Sequence, residues 1–331
     1  MKTIKKQITI PYTSTKAYSM YFNGYPICSF DIETTGLSPD SATIILSGLY
    51  MHYKDHGEVI QFFAETEQDE TLIIEETLKL LNQSSHILTY NGRSFDIPFL
   101  LKRAVFHGLD IPDIPYNLDL YSLFDKFSKI RDSINNLSQK NAEIYAGITN
   151  LRTDKINGQI SIKLYSEYIR QPSERSIDKI LLHNRDDVLQ LFRLLRLLPE
   201  CDLHKAMANL GFSCYGYHVI KQKIIRSSLS VKLKLPPYTP NYISFPTLEA
   251  PYRVMFTKQI GEIDFTAERI DENILVVDAH KILTRLGIKS DDIIFSYPGF
   301  QSGYLILKDN KHINQLEINA FIIRFLSIFT F

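Results

Sequence analysis

The residues Ile27-Cys28-Ser29-Phe30 read as a buried strand, and the chain continues from them as Asp31-Ile32-Glu33-Thr34-Thr35-Gly36-Leu37. Side chains two apart on a strand point the same way, so Asp31 and Glu33 leave the end of this strand on one face. Gly36 and Pro39 then break it. Two neighbouring carboxylates repel unless something positive lies between them. A hard divalent cation held by oxygen ligands, Mg²⁺ or Mn²⁺, resolves that repulsion. The chain must therefore fold so that a buried strand carries an acidic pair at its end, with further ligands delivered from distant segments.

Hydrophobic periodicity sets the surroundings of that strand. Residues 43–53 and 59–64 are rich in β-branched and aromatic side chains and predict further strands. Residues 69–81 place Leu72, Ile73, Leu78, Leu80 and Leu81 at helical spacing. A short strand is expected at 86–90, a helix at 94–106, a strand at 114–120, and helical segments near 122–130 and 136–145. Strong helical periodicity covers 160–169 and 176–198. Hairpin-joined strands followed by strands alternating with helices predict an α/β fold, a mixed sheet with flanking helices. The pattern changes after Pro199. Residues 227–251, rich in Ser, Pro and Tyr, read as loop. Strands at 252–256, 274–277 and 304–307 and helices near 279–286 and 314–327 then predict a smaller C-terminal α+β module. The expected domains are 1–200 and 201–331. The apolar tail 318–331, interrupted by Asn319 and Arg324, reads as a terminal helix docked on a core rather than one lying on a membrane surface.

Composition narrows the classes. Apolar content of 44% and charged content of 22% belong to an ordinary folded protein. The formal net charge is zero, so any anion-binding surface is local. The basic run Lys221, Lys223, Arg226, Lys232 and Lys234 is either such a surface, grooved for a phosphate backbone, or a solvated face. Three cysteines with no CxxC pair argue against a disulfide framework and a zinc site. They fit a reducing compartment, so the expected location is cytoplasmic. Residues 1–10 lack the apolar core of a signal peptide, and no stretch is long and apolar enough to span a bilayer, so no membrane partner is expected. No Walker-type loop, GxGxxG after a strand, HExxH or GxSxG is present.

Two later segments supply candidate ligands for the acidic pair. In Asn91-Gly92-Arg93-Ser94-Phe95-Asp96, Asn-Gly makes a turn and Ser94 is the expected N-cap, so Asp96 falls in the first helical turn beside the strand ends. A lone Asp there equally serves as a cap or dipole partner. In His183-Asn184-Arg185-Asp186-Asp187, His183 and Asp187 are four apart and share a helix face. Leu181, Leu182, Val188 and Leu191 flank them and are expected to pack on the sheet. An unpaired carboxylate on that side is costly to bury, and a cation removes the cost. Asp119, at an expected strand end, reads as a structural cap or supporting group rather than a fifth ligand.

Taken in order, these motifs resemble those of the DEDD superfamily of 3′→5′ exonucleases, which have a ribonuclease-H-like fold. Asp31 and Glu33 match the first motif, within DIETTGL; Asn91, Phe95 and Asp96 match the second; His183 and Asp187 match the third. The run HNRDDVLQL, with Leu118-Asp119-Leu120 and Leu151-Arg152-x-Asp154, is most similar to the YprB-type ribonuclease-H-like proteins of bacteria. The resemblance covers roughly residues 24–198. One departure stands out: three residues separate His183 from Asp187, which is the spacing of the superfamily's tyrosine class, whereas its histidine class has four.

The resemblance implies a 3′→5′ exonuclease using two divalent cations, Mg²⁺ or Mn²⁺. Asp31 would bridge both; Glu33 and Asp187 would complete one; Asp96 would support the other; His183 would take the proton from the attacking water. Leu37 and Phe95 would wedge or stack against the terminal base of a single strand of DNA or RNA, and Asn91 would hydrogen-bond it; plain core packing is the alternative for Leu37 and Phe95. A catalytically inactive nucleic-acid-binding protein and a structure-selective endonuclease are the alternative functions, since a fold does not fix an activity.

Overall fold

The computed structural model describes residues 1–156, 158–287 and 303–329. The chain divides into two compact units, Met1–Cys201 and Asp202–Phe331. In the first unit the strands are β1 (Lys2–Gln7), β2 (Ile27–Thr34), β3 (Ile44–His52), β4 (Gly57–Phe63), β5 (His86–Thr89) and β6 (Asn117–Asp119). The helices are α1 (Lys16–Tyr21), α2 (Glu70–Asn82), α3 (Asp96–Phe106), α4 (Leu120–Phe127), α5 (Ile130–Ser133), α6 (Gln139–Tyr145), α7 (Gly158–Arg170) and α8 (Glu174–Arg193).

The six strands form one mixed sheet in the order β1-β4-β3-β2-β5-β6. The first four are antiparallel neighbours, and β5 and β6 run parallel to β2. The parallel pairing brings the C-terminal ends of β2 and β5 side by side, where open α/β sheets present their functional groups. The acidic strand β2 lies inside the sheet, and every residue of it is buried except Asp31, which is partly exposed. Helices cover both faces. On one, Thr77 of α2 donates to Ser47 of β3 (2.7 Å). On the other, α8 crosses β2, β3 and β4 and buries Ile177, Ile180, Val188 and Leu191. Leu181 and Leu182, expected on the sheet, are only half-buried, because the buried stripe passes through Ile180 and Asn184 instead. The long periodic segment 176–198 is also not one helix: α8 gives way to a 3₁₀ turn over Leu194–Glu200 that contains Pro199.

The second unit contains α9 (Leu203–Leu210), β7 (Phe212–Cys214), β8 (Tyr217–Ile225), β9 (Ser228–Lys234), β10 (Tyr242–Ser244), β11 (Tyr252–Thr257), β12 (Ile260–Thr266), β13 (Glu268–Arg269), β14 (Ile274–Asp278), α10 (Ala279–Arg285), β15 (Tyr304–Asp309), β16 (His312–Ile313) and α11 (Gln315–Leu326). Among its described residues it holds two antiparallel sheets, β10-β11-β12-β9-β8-β7 and β13-β14-β15-β16, with their helices. The loop expected at 227–251 is wrong over much of its length. Leu229, Val231 and Leu233 point into the core and alternate with Ser230, Lys232 and Lys234, which makes β9 an interior strand. The tail forms α11, with Ile318, Phe321, Ile322, Phe325 and Leu326 buried in its own unit. Residues 330 and 331 of that tail lie outside the described residues. Among the described residues no helix is long and apolar enough to cross a membrane, and all three cysteines are free.

Candidate metal centre

Asp31, Gly48 and Gln61 stand in cross-strand register on β2, β3 and β4, facing α8. Asn184 of α8 lies over the glycine. Its Nδ2 donates to Asp31 Oδ2 (2.9 Å), and its Oδ1 accepts from Gln61 Nε2 (2.8 Å). A Cβ on Gly48 would fall 1.8 Å from Asn184 Oδ1, so the missing side chain is what allows the bridge. Glu33, two residues beyond Asp31, is buried on the same face. Asp96 opens α3, and its Oδ1 accepts the Ile32 amide of β2 (3.1 Å), which fastens the helix start to the acidic strand. The cap of α3 is Phe95, with no side-chain cap bond, so Ser94 does not have the capping role expected of it.

α8 brings the remaining groups. His183 Nε2 lies 3.4 Å from Asp187 Oδ2 and 3.7 Å from Glu33 Oε1. Glu33, His183 and Asp187 each offer a donor atom within 4.8 Å of the others. The four carboxylates act on one another. Burial, then the charges of Asp96, Asp187 and Glu33, push the Asp31 carboxyl far above its ordinary value. Burial pushes Glu33 to about 8, with His183 opposing and Asp187 adding to the rise. Asp96 is raised to about 7, again chiefly by burial, and Asp187 is raised by burial against the pull of His183 and Arg152. A group of buried acids held this far above their usual range is short of positive charge. Oxygen donors with one imidazole nitrogen fit a divalent cation.

Sequence reasoning missed the groups that hold this site in place. Asn184 occupies a core-facing position four residues after Ile180 and seven before Leu191, and a polar residue inside an apolar helical stripe was the available signal. Arg152 and Asp154 stand in a motif of the sequence that by itself assigns them no role. Arg152 donates to Asp187 Oδ1 (2.6 Å), to both oxygens of buried Glu143 (2.6 and 2.8 Å) and to Asp154 Oδ2 (2.8 Å). Asp154 Oδ2 also meets His183 Nδ1 (2.6 Å). Despite its burial, the Asp154 carboxyl is held below its ordinary value by His183 and Arg152. Asp186 latches this loop to α8 by accepting the Thr153 and Asp154 amides (2.6 and 2.9 Å).

The expected substrate contacts are placed as follows. Leu37 is 85% exposed in the turn after β2. Phe95 is half-buried with its ring against Phe99, so part of it is core. Asn91 is exposed, adopts a positive φ of 67°, and donates its amide to Asp119 Oδ1 (2.8 Å). Asp119 also caps α4 by accepting the Tyr121 amide, so its carboxylate serves the loop and the helix end.

No curated protein matches this chain. Among solved structures it is similar to the family B DNA polymerase from the hyperthermophilic archaeon Pyrobaculum calidifontis, with 17% identity and a TM-score of 0.42. The match covers 92% of this chain and 42% of the polymerase chain, so this chain spans less than half of that protein's length. The model of the RNase_H_2 family, of the RNase_H superfamily, matches residues 28–199. That span runs from the second residue of β2 to the turn after α8 and takes in the four carboxylates, His183 and the Arg152–Asp154 loop; the chain belongs to the RNase_H superfamily.

Proposed function

We propose that this protein is a metal-dependent nuclease that removes nucleotides in the 3′→5′ direction from single-stranded DNA or RNA, in the cytoplasm. The observation that carries this reading is the convergence of Asp31, Glu33, Asp96 and Asp187 at one end of β2, all raised in pKa by burial, in a chain of the RNase_H superfamily. Two divalent cations, Mg²⁺ or Mn²⁺, would supply a nucleophile at neutral pH and charge against the leaving oxygen. Asp31 would contact both, Glu33 and Asp187 one, and Asp96 the other. Asn184 keeps the Asp31 carboxylate turned to the site, and Arg152 fixes that of Asp187. The exposed Leu37 offers an apolar wedge to the last base, and the free edge of Phe95 a stacking surface, both indifferent to sequence. His183 as a proton acceptor needs its Nε2 free, and Nε2 faces Glu33 and Asp187. Burial lowers the pKa of His183, but Asp154 and the charges of Asp187 and Glu33 outweigh that and raise it.

The test is incubation of end-labelled DNA and RNA oligonucleotides with the protein and Mn²⁺. Stepwise shortening from the 3′ end is expected, and Asp31→Asn should lower it by at least about a thousandfold while circular dichroism stays unchanged. Binding without cleavage, or a single internal cut, overturns the exonuclease reading in favour of a silent binding protein or an endonuclease.

A further inference from the structure

We infer that His183 is a metal ligand rather than a free base: with Glu33 and Asp187 it forms a mixed nitrogen–oxygen site that takes Mn²⁺, or a similar first-row transition ion, in preference to Mg²⁺. The inference deepens the nuclease reading and rests on its metal site.

Helix spacing is the first support. The three-residue interval between His183 and Asp187 makes them i and i+4 neighbours on α8, so the imidazole is carried onto the same face as the carboxylate and over Glu33. An ion about 2.1 Å from each donor separates its ligands by about 3.0 Å in octahedral and about 3.4 Å in tetrahedral geometry. The observed 3.4 and 3.7 Å lie at and slightly above the tetrahedral separation, and a small inward shift of Glu33 and Asp187 reaches the octahedral one.

The way each donor is held is the second support. Asp154 Oδ2, whose side chain is only 1% exposed, takes the Nδ1 side of His183 at 2.6 Å and a bond from Arg152 at 2.8 Å. A carboxylate on Nδ1 holds the ring so that Nε2 is turned toward Glu33 and Asp187, as in the carboxylate–histidine pairs that orient imidazole ligands on metals. Nε2, in a side chain 7% exposed, points between two carboxylate oxygens, Asp187 Oδ2 at 3.4 Å and Glu33 Oε1 at 3.7 Å. Arg152 occupies Asp187 Oδ1, which leaves Oδ2 as that residue's donor. An imidazole nitrogen among the donors favours first-row transition ions over Mg²⁺, which prefers an all-oxygen set.

The experiment uses the full chain stripped of cations. Calorimetric titration with Mn²⁺ and with Mg²⁺ should show a preference for Mn²⁺ of about a hundredfold, narrowed about tenfold or more in His183→Gln. Pulsed electron paramagnetic resonance of bound Mn²⁺, on protein labelled with ¹⁵N-histidine, should show one directly coordinated imidazole nitrogen. An unchanged Mn²⁺/Mg²⁺ ratio in a folded His183→Gln protein, or no histidine coupling at bound Mn²⁺, overturns the inference. If the variant does not fold, the spectrum of the unaltered protein decides alone. The two readings fail separately. Strand shortening without nitrogen coupling keeps the nuclease and removes the ligand; coupling without any cleavage keeps the ligand and removes the nuclease.

Discussion

Gly48 faces Asp31 across the β2–β3 pair, and a methyl group there collides with the amide of Asn184. Gly48→Ala forces that amide away and breaks its bonds to Asp31 and to buried Gln61, which keeps only its bond to the Leu181 carbonyl (2.9 Å). The expected destabilisation is about 2–4 kcal/mol, from overpacking together with unpaired buried polar groups. Urea denaturation checks it, and adding Asn184→Ala to remove the clash should make the double variant less damaged than the sum of its parts. Strict additivity would show that the two residues do not meet. A second prediction concerns His86, buried on β5 with Nδ1 2.8 Å from Ser85 Oγ and Nε2 against the Tyr18 hydroxyl. Burial lowers its pKa to about 3. In the unfolded chain the value is about 6.5, so as pH falls below that the unfolded state takes up a proton that the folded state refuses. The contribution is complete above about pH 6.5 and is lost at roughly 1.4 kcal/mol per pH unit down to about pH 3. Between pH 6 and 4.5, His86→Asn should change the slope of the denaturation free energy against pH by about one proton relative to the unaltered protein, in the sense of removing a loss of stability on acidification. At this scale the sequence shows acidic residues well, because chemistry demands them in recognisable order. It hides Gly48, Gln61 and Asn184, whose roles exist only once three strands and a helix are in register.

Periodicity carried most of the elements, and its failures have physical causes. β1 was not expected, because an edge strand with Lys2, Lys5 and Lys6 has little apolar alternation to reveal it. β9 looks like loop in the sequence because serines and lysines fill its solvent face, while its core side chains are spaced two apart. The same alternation changes the meaning of the basic run. The pairing of Lys221 with Lys232, and of Lys223 with Ser230, puts the exposed lysines on one face of the β8–β9 hairpin. Beside them, Glu262 on β12 stands opposite Lys232 and Asp264 opposite Ser230. The run is therefore a stripe bordered by acids, not an uninterrupted basic patch. How elements are tied together is the part least visible in the sequence. Glu70 of α2 accepts the Ile44 amide of β3 and Arg103 Nε of α3, each at 2.8 Å, and also meets His107. Burial opposes its charge, but Arg103, His107 and the amide outweigh that and hold the carboxyl below its ordinary value. Its stabilising contribution is present above about pH 4.5 and is lost as pH falls through the lower folded value. Glu70→Ala leaves Arg103 buried with no counter-ion, and about 3–5 kcal/mol should be lost. Thermal unfolding at neutral pH measures this, and a loss under 1 kcal/mol would mean that Arg103 is solvated in the variant.

The boundaries of the molecule's parts make one further prediction. The hydrophobic cluster built on β2, β3 and β4 draws all its residues from the first unit, from Cys28 to Ile180. Each carboxylate, His183 and the Arg152–Asp154 loop lie in that unit too, and the family match ends at residue 199. A chain of about 200 residues is long enough to fold alone on its own core. Residues 1–201 expressed by themselves should therefore unfold in a single cooperative transition and bind Mn²⁺ within about threefold of the full chain, since binding depends only on groups they contain. Cleavage of oligonucleotides by the fragment then discriminates between two contributions of residues 202–331. A raised KM with kcat kept within about threefold assigns the second unit to holding the strand, because that is the signature of lost uniform binding. A folded, Mn²⁺-binding fragment that cleaves nothing assigns it a part in the reaction itself, for then the carboxylates, the histidine and the cation are all present and what is missing must act on the substrate's reacting end.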